Sequence, residues 1–277
     1  MTAVRALAIL IAVVSLTGCD AGEQAVSESR SVVTGLYPLA WAAERVASDS
    51  VDEVVNLTQP GAEPHDLELS PRDAEAIRDA YVVLYAGSGF QPAIEDAVAS
   101  RQGLSVDVSD GARDPHVWLD PLRFAQIVDR IATTLGDTGS APGEIRVLER
   151  LDAEYRRGLE ACERRTLVTM HAAFGHLAAR YRLTELSLAG RSPEAEPSPQ
   201  ELERLVEKVR ASGATTIFAE PLVSDRLAET VARETGVEVA VLDPVEGLSQ
   251  KRLDAGEDYL SVMRANLAAL RKALGCR

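Results

Sequence analysis

The amino-acid sequence predicts an α/β protein of two lobes, each a four-stranded, mostly parallel sheet flanked by helices, joined by a long connecting helix. Short runs rich in β-branched residues alternate with amphipathic helical stretches along the chain, which is typical of parallel α/β sheets. The alternation occurs twice, once on either side of a long charged helical stretch that follows a glycine-rich turn at 136–143. Two lobes with one connector follow from this repetition.

Each half contains four predicted strands. Those of the first half are 32–37, 51–57, 81–86 and 104–108. Those of the second half are 166–169, 183–188, 215–219 and 238–242. Helices are predicted between them, the clearest of which begins at Pro121 and continues to Leu135 with apolar residues at helical spacing. The last helix is predicted over 254–274.

The connecting helix is predicted at 140–163. Its apolar residues recur every three or four positions, at Ile145, Leu148, Leu151, Tyr155 and Leu159. The other face of this helix is almost entirely charged, which fits a connector between two lobes. We therefore expect an N-terminal lobe at 31–139 and a C-terminal lobe at 164–277.

The first 18 residues predict an export signal. One positive charge, Arg5, precedes an apolar run that has about half of the roughly 20 residues needed to span a bilayer. The sequence Leu16-Thr17-Gly18-Cys19 looks like a bacterial lipobox, in which Cys19 receives a lipid after cleavage. A secretory signal with an incidental cysteine is the alternative. The small polar residues 19–30 predict a flexible tether to the outer face of the cytoplasmic membrane.

The net charge argues against some kinds of binding partner, and the cysteines indicate the compartment in which the protein works. The formal net charge is −14, which argues against binding to nucleic acid or to an anionic lipid surface. With Cys19 assigned to the lipid, Cys162 and Cys276 remain in a compartment outside the reducing cytosol. They predict a disulfide, with two buried free thiols as the alternative.

Three of the four histidines directly follow predicted strands. His65 comes after the second strand, His116 after the fourth and His171 after the fifth. Asp243 follows the last strand in the same way. Ligands collect at the carboxyl ends of parallel strands, so these groups are expected to converge between the lobes. His176 is expected not to join them, because five residues along a helix turn its side chain roughly 140° away from His171.

Three imidazoles and one carboxylate suit a tetrahedral divalent ion, and this donor set favours zinc over magnesium or calcium. Four protein ligands leave no ready position for an activated water, so the chain is not expected to be an enzyme. The rival is a metallohydrolase, but a His-Glu-x-x-His helix is missing because position 175 is glycine.

Several short motifs occur in order along the chain. They are Tyr37-Pro38-Leu39-Ala40-Trp41, Pro60-Gly61-Ala62-Glu63-Pro64-His65-Asp66, the His116 motif, His171-Ala172-Ala173-Phe174-Gly175, Ser192-Pro193-Glu194-Ala195-Glu196-Pro197-Ser198 and Leu242-Asp243-Pro244. In these motifs the chain resembles the metal-binding solute-binding proteins of bacterial ABC transporters for zinc and manganese, the cluster A-I group. The resemblance covers nearly all of the mature chain.

The resemblance implies two lobes joined by one rigid helix, with a metal held between them and handed to a membrane permease. It places the ligands on His65, His116, His171 and Asp243. Members that look like manganese binders usually carry glutamate at the third position, so His171 favours zinc. A manganese receptor and a metal-dependent surface adhesin are the alternatives. We expect a monomer.

Four acidic residues lie in the same motif loops: Glu63, Glu194, Glu196 and Glu220. They are candidates to hydrogen-bond the ligand imidazoles, with Glu63 the first choice, because such partners orient metal-bound histidine. Helix capping or exposure to solvent is the alternative for each. Many zinc importers of this kind carry a long histidine-rich loop before the second ligand, whereas the segment 109–113 is short and lacks histidine.

Overall fold

The structure is a computed structural model that describes residues 30–47, 51–136, 138–190 and 197–277. The first sheet contains β1 (Ser31–Thr34), β2 (Glu53–Asn56), β3 (Val82–Tyr85) and β4 (Leu104–Asp107). The second sheet contains β5 (Thr166–Thr169), β6 (Thr184–Ser187), β7 (Thr216–Ala219) and β8 (Glu238–Val241). All the pairings in both sheets are parallel, which confirms the predicted fold class.

Helices flank the two sheets. In the first half they are α1 (Tyr37–Val46), α2 (Pro71–Asp79), α3 (Pro92–Ser100), α4 (Pro121–Leu135) and α5 (Ala141–Leu159). In the second half they are α6 (Gly175–Arg180), α7 (Pro199–Ser212), α8 (Arg226–Thr235), α9 (Gln250–Asp254) and α10 (Tyr259–Leu274). Two short 3-10 turns, Pro64–Asp66 and Val117–Leu119, follow β2 and β4.

Local sequence explains most helix boundaries. Proline opens α4 behind Asp120, whose side chain accepts the backbone N–H groups of the first turn, and Gly136 closes the helix in the left-handed conformation. The last helix, predicted over 254–274, is α10 and begins later, at Tyr259. A separate short helix, α9, ends at Asp254, and Gly256, with a φ of 79°, lies between the two helices.

The two sheets have the same topology. Their strand orders are β2-β1-β3-β4 and β6-β5-β7-β8. In each sheet the second strand lies on one side of the first strand, and the chain then crosses to the other side to add the third and fourth strands. In open parallel sheets such a switch point leaves a crevice outside the carboxyl ends of the strands. The segments that follow the strands of both sheets therefore supply the residues between the lobes.

An aromatic cluster joins the lobes. Tyr259, from α10, packs against Trp41 and Phe124 of the first half, with ring centroids 5.0 Å and 4.6 Å away. Its hydroxyl donates a hydrogen bond to the Trp118 carbonyl at 2.6 Å. Tyr259 is fully buried, so this contact belongs to one core that spans both halves.

The loop after β8, residues 243–248, which we call the β8 loop, is bonded to the first lobe. The backbone N–H of Tyr37 donates to the carbonyl of Glu246, and that of Gly61 to Leu248, at 3.3 Å and 3.0 Å. The indole N–H of Trp118 donates to the carbonyl of Pro244 at 2.8 Å. A loop that belongs to the second half of the sequence is thus held by three groups of the first.

Cys162 and Cys276 form a disulfide, as predicted. The bridge connects the chain just beyond α5 to the chain just beyond α10, across a sequence separation of 114. Two backbone hydrogen bonds flank it, from Arg164 to the Leu274 carbonyl and from Arg277 to the Ala161 carbonyl. Among the residues described, no helix has the length and apolar character needed to cross a membrane.

Candidate metal centre

Three predicted histidines meet between the lobes. His65 lies in the 3-10 turn that follows β2. His116 comes directly before the 3-10 turn that follows β4, and His171 lies two residues beyond the end of β5. The ring centroids are 5.3 to 5.8 Å apart in every pairing of the three. The structure brings the three histidines together beyond the strand ends.

The carboxylate that joins the histidines is Glu246. Its Oε1 lies 3.0 Å from Nε2 of His116, 3.4 Å from Nε2 of His171 and 3.6 Å from Nε2 of His65. The Nε2 atoms of His116 and His171 are 3.4 Å apart. Among the described residues this is the group of histidine, cysteine and acidic side chains whose ligand atoms lie close enough together to hold one ion.

These spacings fit a tetrahedral ion. With bonds of about 2.0 to 2.1 Å, as zinc makes to imidazole and carboxylate, two ligand atoms of a regular tetrahedron lie about 3.4 Å apart. The four measured separations bracket that value. Neither Nε2 of His65 nor Oε1 of Glu246 makes a hydrogen bond within the described residues, although both atoms are buried. Buried polar atoms are rarely left so, which fits donors arranged for a cation.

The site is nearly closed to water. The side chains of His116 and His171 are fully buried and that of Glu246 is 2 % exposed, whereas His65 keeps 11 % of its surface exposed. Phe90 covers the His65 ring with a centroid separation of 4.2 Å. An ion therefore reaches the group from the side of His65.

The imidazoles and the buried carboxylate determine each other's ionisation. Burial opposes the charge on Glu246, but contacts with His116, His171 and His65 hold the pKa of the Glu246 carboxyl well below its usual range. Burial also opposes protonation of His171, yet the carboxylates of Glu220 and Glu246 raise its pKa to about 10. A metal that binds this group must therefore displace the proton that His171 holds beside the anionic Glu246.

Two carboxylates orient the ligand imidazoles from behind. Asp114 Oδ1 lies 2.7 Å from Nδ1 of His116, and Glu220 Oε2 lies 2.7 Å from Nδ1 of His171. Burial raises the pKa of Glu220 above its ordinary value, although its contact with His171 opposes the rise. Both contacts leave Nε2 as the atom that faces the cleft.

Asp243 does not belong to the group, and its prediction as the fourth ligand is corrected. Its Oδ1 accepts the backbone N–H of Val245 at 2.7 Å, and its Oδ2 contacts Nη1 of Arg252 at 2.6 Å. Both oxygens are thus engaged outside the cleft. The chain continues for three residues beyond Asp243 before Glu246 enters the site, and a strand-end rule does not reveal that turn.

The other residues considered for the site lie beside the ligand group or outside the part of the chain that the structure describes. Glu63 accepts the backbone N–H of His65 at 3.1 Å and does not contact its ring. Burial, together with the charge of Glu246, raises the pKa of Glu63 to about 8. His176 contacts the Asp114 carbonyl at 2.9 Å and lies outside the group, as expected. Glu194 and Glu196 lie outside the described residues.

Sequence reasoning missed two residues, Asp114 and Glu246. Each had a local signal: Asp114 stands two residues before His116, and Glu246 three residues after Asp243 in the run Asp243-Pro244-Val245-Glu246. A search for further acidic residues within one turn of each candidate ligand would have found both.

Comparison with known protein families shows which family this chain belongs to. Residues 32–273 match the zinc-uptake complex component A (ZnuA) family, described as periplasmic. The chain belongs to this family. A ZnuA-family assignment agrees with the resemblance deduced from the motifs.

Individual ZnuA-family relatives are similar over most of the chain. The zinc-binding protein AdcA of Streptococcus pyogenes serotype M1 is 32% identical over 90% of this chain, which spans only 57% of that longer protein. The high-affinity zinc uptake system protein ZnuA of Bacillus subtilis is 29% identical over 98% of this chain and 96% of its own length.

Solved structures show the same ZnuA-like architecture. The laminin-binding protein Lmb of Streptococcus agalactiae, described as bifunctional with adhesin and metal transporting activity, superposes with a TM-score of 0.79, 32% identity and coverage of 89% of this chain and all of that one. The Zn(II)-bound ZnuA-like domain of Streptococcus pneumoniae AdcA gives a TM-score of 0.74 and 32% identity, covering 89% of this chain and 99% of that domain.

Proposed function

We propose that this chain is a zinc receptor that holds one ion between its lobes with His65, His116, His171 and Glu246. The observation that carries the proposal is the spacing of the four ligand atoms: four of their six separations are 3.0 to 3.6 Å, close to the edge of a zinc tetrahedron, and all lie within 4.8 Å. A closed shell of three nitrogens and one oxygen disfavours manganese, which prefers oxygen-rich, six-coordinate sites. The names of zinc-binding relatives support the same metal.

A competition titration tests the metal. Residues 20–277 are freed of metal and titrated with zinc and with manganese against a chelator of known affinity. We expect one tight zinc site and weaker manganese binding. His116→Ala removes a fully buried ligand and abolishes tight binding, whereas the matched variant His176→Ala keeps it, because His176 lies outside the group. Equal losses in both variants would contradict the assignment.

Thermal unfolding gives an independent readout. A ligand at 100 times its dissociation constant stabilises the folded state by about 2.7 kcal/mol, so zinc raises the midpoint of unfolding of the unaltered protein. The same concentration leaves the midpoint of His116→Ala nearly unchanged. A shift of equal size in both proteins would show that zinc binds elsewhere.

We further propose that the protein delivers zinc to the permease of an ABC-type importer. Membership of the ZnuA family supports this role, as does the group of four ligand residues, which is enough to fill a tetrahedral shell. Cells lacking the protein should grow poorly when a chelator limits zinc. The unaltered gene should restore growth and His116→Ala should not; restoration by both would contradict delivery.

We propose that a lipid on Cys19 holds the receptor at the outer face of the cytoplasmic membrane. The lipobox at 16–19 supports this, and a relative from Streptococcus pneumoniae is named a zinc-binding lipoprotein. Cys19 and the export signal lie outside the described residues. Cys19→Ser should move the protein from the membrane fraction to the soluble one, while Ser27→Ala, in the predicted tether, should not.

A further inference from the structure

Val245, the residue before the Glu246 ligand, has an unusual backbone conformation. Its φ is 60°, in the left-handed region that β-branched residues rarely adopt, and its side chain is fully buried. Such a conformation persists only when its surroundings hold it in place, and it tends to occur at functional sites. The β8 loop therefore needs a specific restraint at this point.

Asp243 supplies that restraint. Its Oδ1 accepts the N–H of Val245 at 2.7 Å, closing a tight turn between the two residues. Asn266, on α10, bonds both backbone groups of Asp243: its Oδ1 accepts the Asp243 N–H at 2.9 Å and its Nδ2 donates to the Asp243 carbonyl at 2.7 Å. Both side chains are buried, at 4 % and 3 % exposure, so the turn is fixed to a helix of the second lobe.

Arg252 holds the carboxylate of Asp243 from the other side. Its Nη1 contacts Oδ2 at 2.6 Å, and its Nε is in turn bonded to Glu257 at 2.9 Å. The side chain of Arg252 keeps 25 % of its surface exposed, so its charge stays partly solvated while it fixes the buried acid. Both oxygens of Asp243 are thereby used, one on the turn and one on the guanidinium.

We propose that Asp243 is the positioning residue of the metal centre: it holds Val245 in the left-handed conformation that points Glu246 at the three histidines. This inference rests on the proposed zinc function. Without the bond from Asp243, the N–H of Val245 loses its partner and the backbone relaxes to negative φ, which turns the following side chain away from the cleft. Partners of this kind, removed one step from the metal, change affinity by about 10-fold to 100-fold.

The test compares Asp243→Ala, which removes both acceptor oxygens, with Asp152→Ala. Asp152 is a matched control, since it is also buried, also contacts an arginine at 2.6 Å and lies on α5. Each protein is titrated with zinc against a chelator and is then loaded with Co²⁺, whose visible absorption reports the number and type of ligands. Unfolding in excess chelator measures stability without metal.

We expect Asp243→Ala to bind zinc about 10-fold to 100-fold more weakly and to change the Co²⁺ spectrum as the glutamate ligand is lost or displaced. Adding Val245→Gly should partly restore affinity, because glycine adopts positive φ without strain. Asp152→Ala should lose stability alone. Unchanged affinity and spectrum in Asp243→Ala overturn the proposal, as does an equal change in both variants.

Two further variants distinguish a wrong positioning role from a wrong zinc function. If Asp243→Ala does not fold, Val245→Pro replaces it, because proline has no N–H for Asp243 to accept and fixes φ at about −65°; wild-type affinity there also overturns the positioning role. Glu246→Gln tests the ligand itself. If it loses tight zinc binding while Asp243→Ala and Val245→Pro do not, only the positioning role is wrong. If the unaltered protein binds no zinc, the proposed function is wrong.

Discussion

Asp114 Oδ1 and His116 Nδ1 are 2.7 Å apart, and this contact directs Nε2 of a fully buried imidazole toward the ligand group. The two residues are separated in sequence by a single proline, and Asp114 also accepts the backbone N–H of His116 at 3.1 Å. Burial works against the charge of Asp114, but its bonds with His116 lower the pKa of the carboxyl below the ordinary value. The aspartate therefore stays ionised behind the ligand.

Asp114→Asn should weaken zinc binding by about 10-fold to 100-fold, because an amide orients the imidazole less strongly and adds no negative charge behind it. Competition titration measures the change. Asp110→Asn is the control, since Asp110 is exposed and pairs with Arg130 instead. A similar loss in both variants would point to a general effect of charge.

Gly175→Ala should act through the same aspartate. A Cβ on Gly175 would lie 2.7 Å from Oδ2 of Asp114, too close for the carboxylate to stay in place. The end of that side chain can move, so the fold should tolerate alanine while His116 loses part of its support. We expect zinc affinity to fall by about 10-fold, the lower end of the range for such partners, with unfolding in chelator nearly unchanged. Gly143→Ala, which meets no neighbour within 4 Å, is the control.

Zinc binding should release protons at pH 8. The pKa of His171 is about 10 in the metal-free protein, above the ordinary value of about 6.5, so its charge stabilises the empty fold below about pH 6.5 and this stabilisation is lost as pH rises through 10. Zinc must displace that proton, so affinity should rise with pH between about 7 and 10.

Calorimetry in two buffers of different ionisation enthalpy counts the released protons. Glu220→Gln removes the carboxylate that contacts Nδ1 of His171, so it should release fewer protons at pH 8 than the unaltered protein does. Equal release by the two proteins, or an affinity that does not depend on pH over this range, would contradict the explanation.

The disulfide should stabilise the fold without affecting the metal. Its sequence separation of 114 corresponds to about 5 kcal/mol of loop entropy in the unfolded chain, and measured losses for native bridges are about 2 to 5 kcal/mol. Cys162→Ala/Cys276→Ala should lose that much free energy of unfolding in a denaturant titration. Zinc affinity should be unchanged, because the bridge joins the far ends of α5 and α10. Equal stability with and without the bridge would refute the prediction.

The fold was predictable because its signals are local. β-branched runs gave all eight described strands, and proline and glycine gave both ends of α4, which lies where predicted. The last helix was predicted to start at 254 rather than at Tyr259, because apolar spacing does not report the positive φ of Gly256 that separates α9 from α10.

The site was predictable in part, for a related reason. His65, His116 and His171 could be placed because parallel strands bring their carboxyl ends to one edge. Glu246 was missed because a left-handed valine redirects the loop beyond Asp243, and backbone conformation at one residue leaves no periodic trace in sequence. Its signal was its place three residues after Asp243. Asp243 itself was wrongly predicted as a ligand, because its oxygens bond Val245 and Arg252 instead.

The three hydrogen bonds that tie the β8 loop to the first lobe have a consequence for any opening of the cleft. Asn266 fixes the same loop to α10 of the second lobe, so the loop that carries Glu246 is held from both sides. Moving His171 away from His65 and His116 therefore has to break one of these two sets of hydrogen bonds. We expect His171→Ala, which removes the one histidine ligand of the second half, to bind zinc weakly and to exchange it fast.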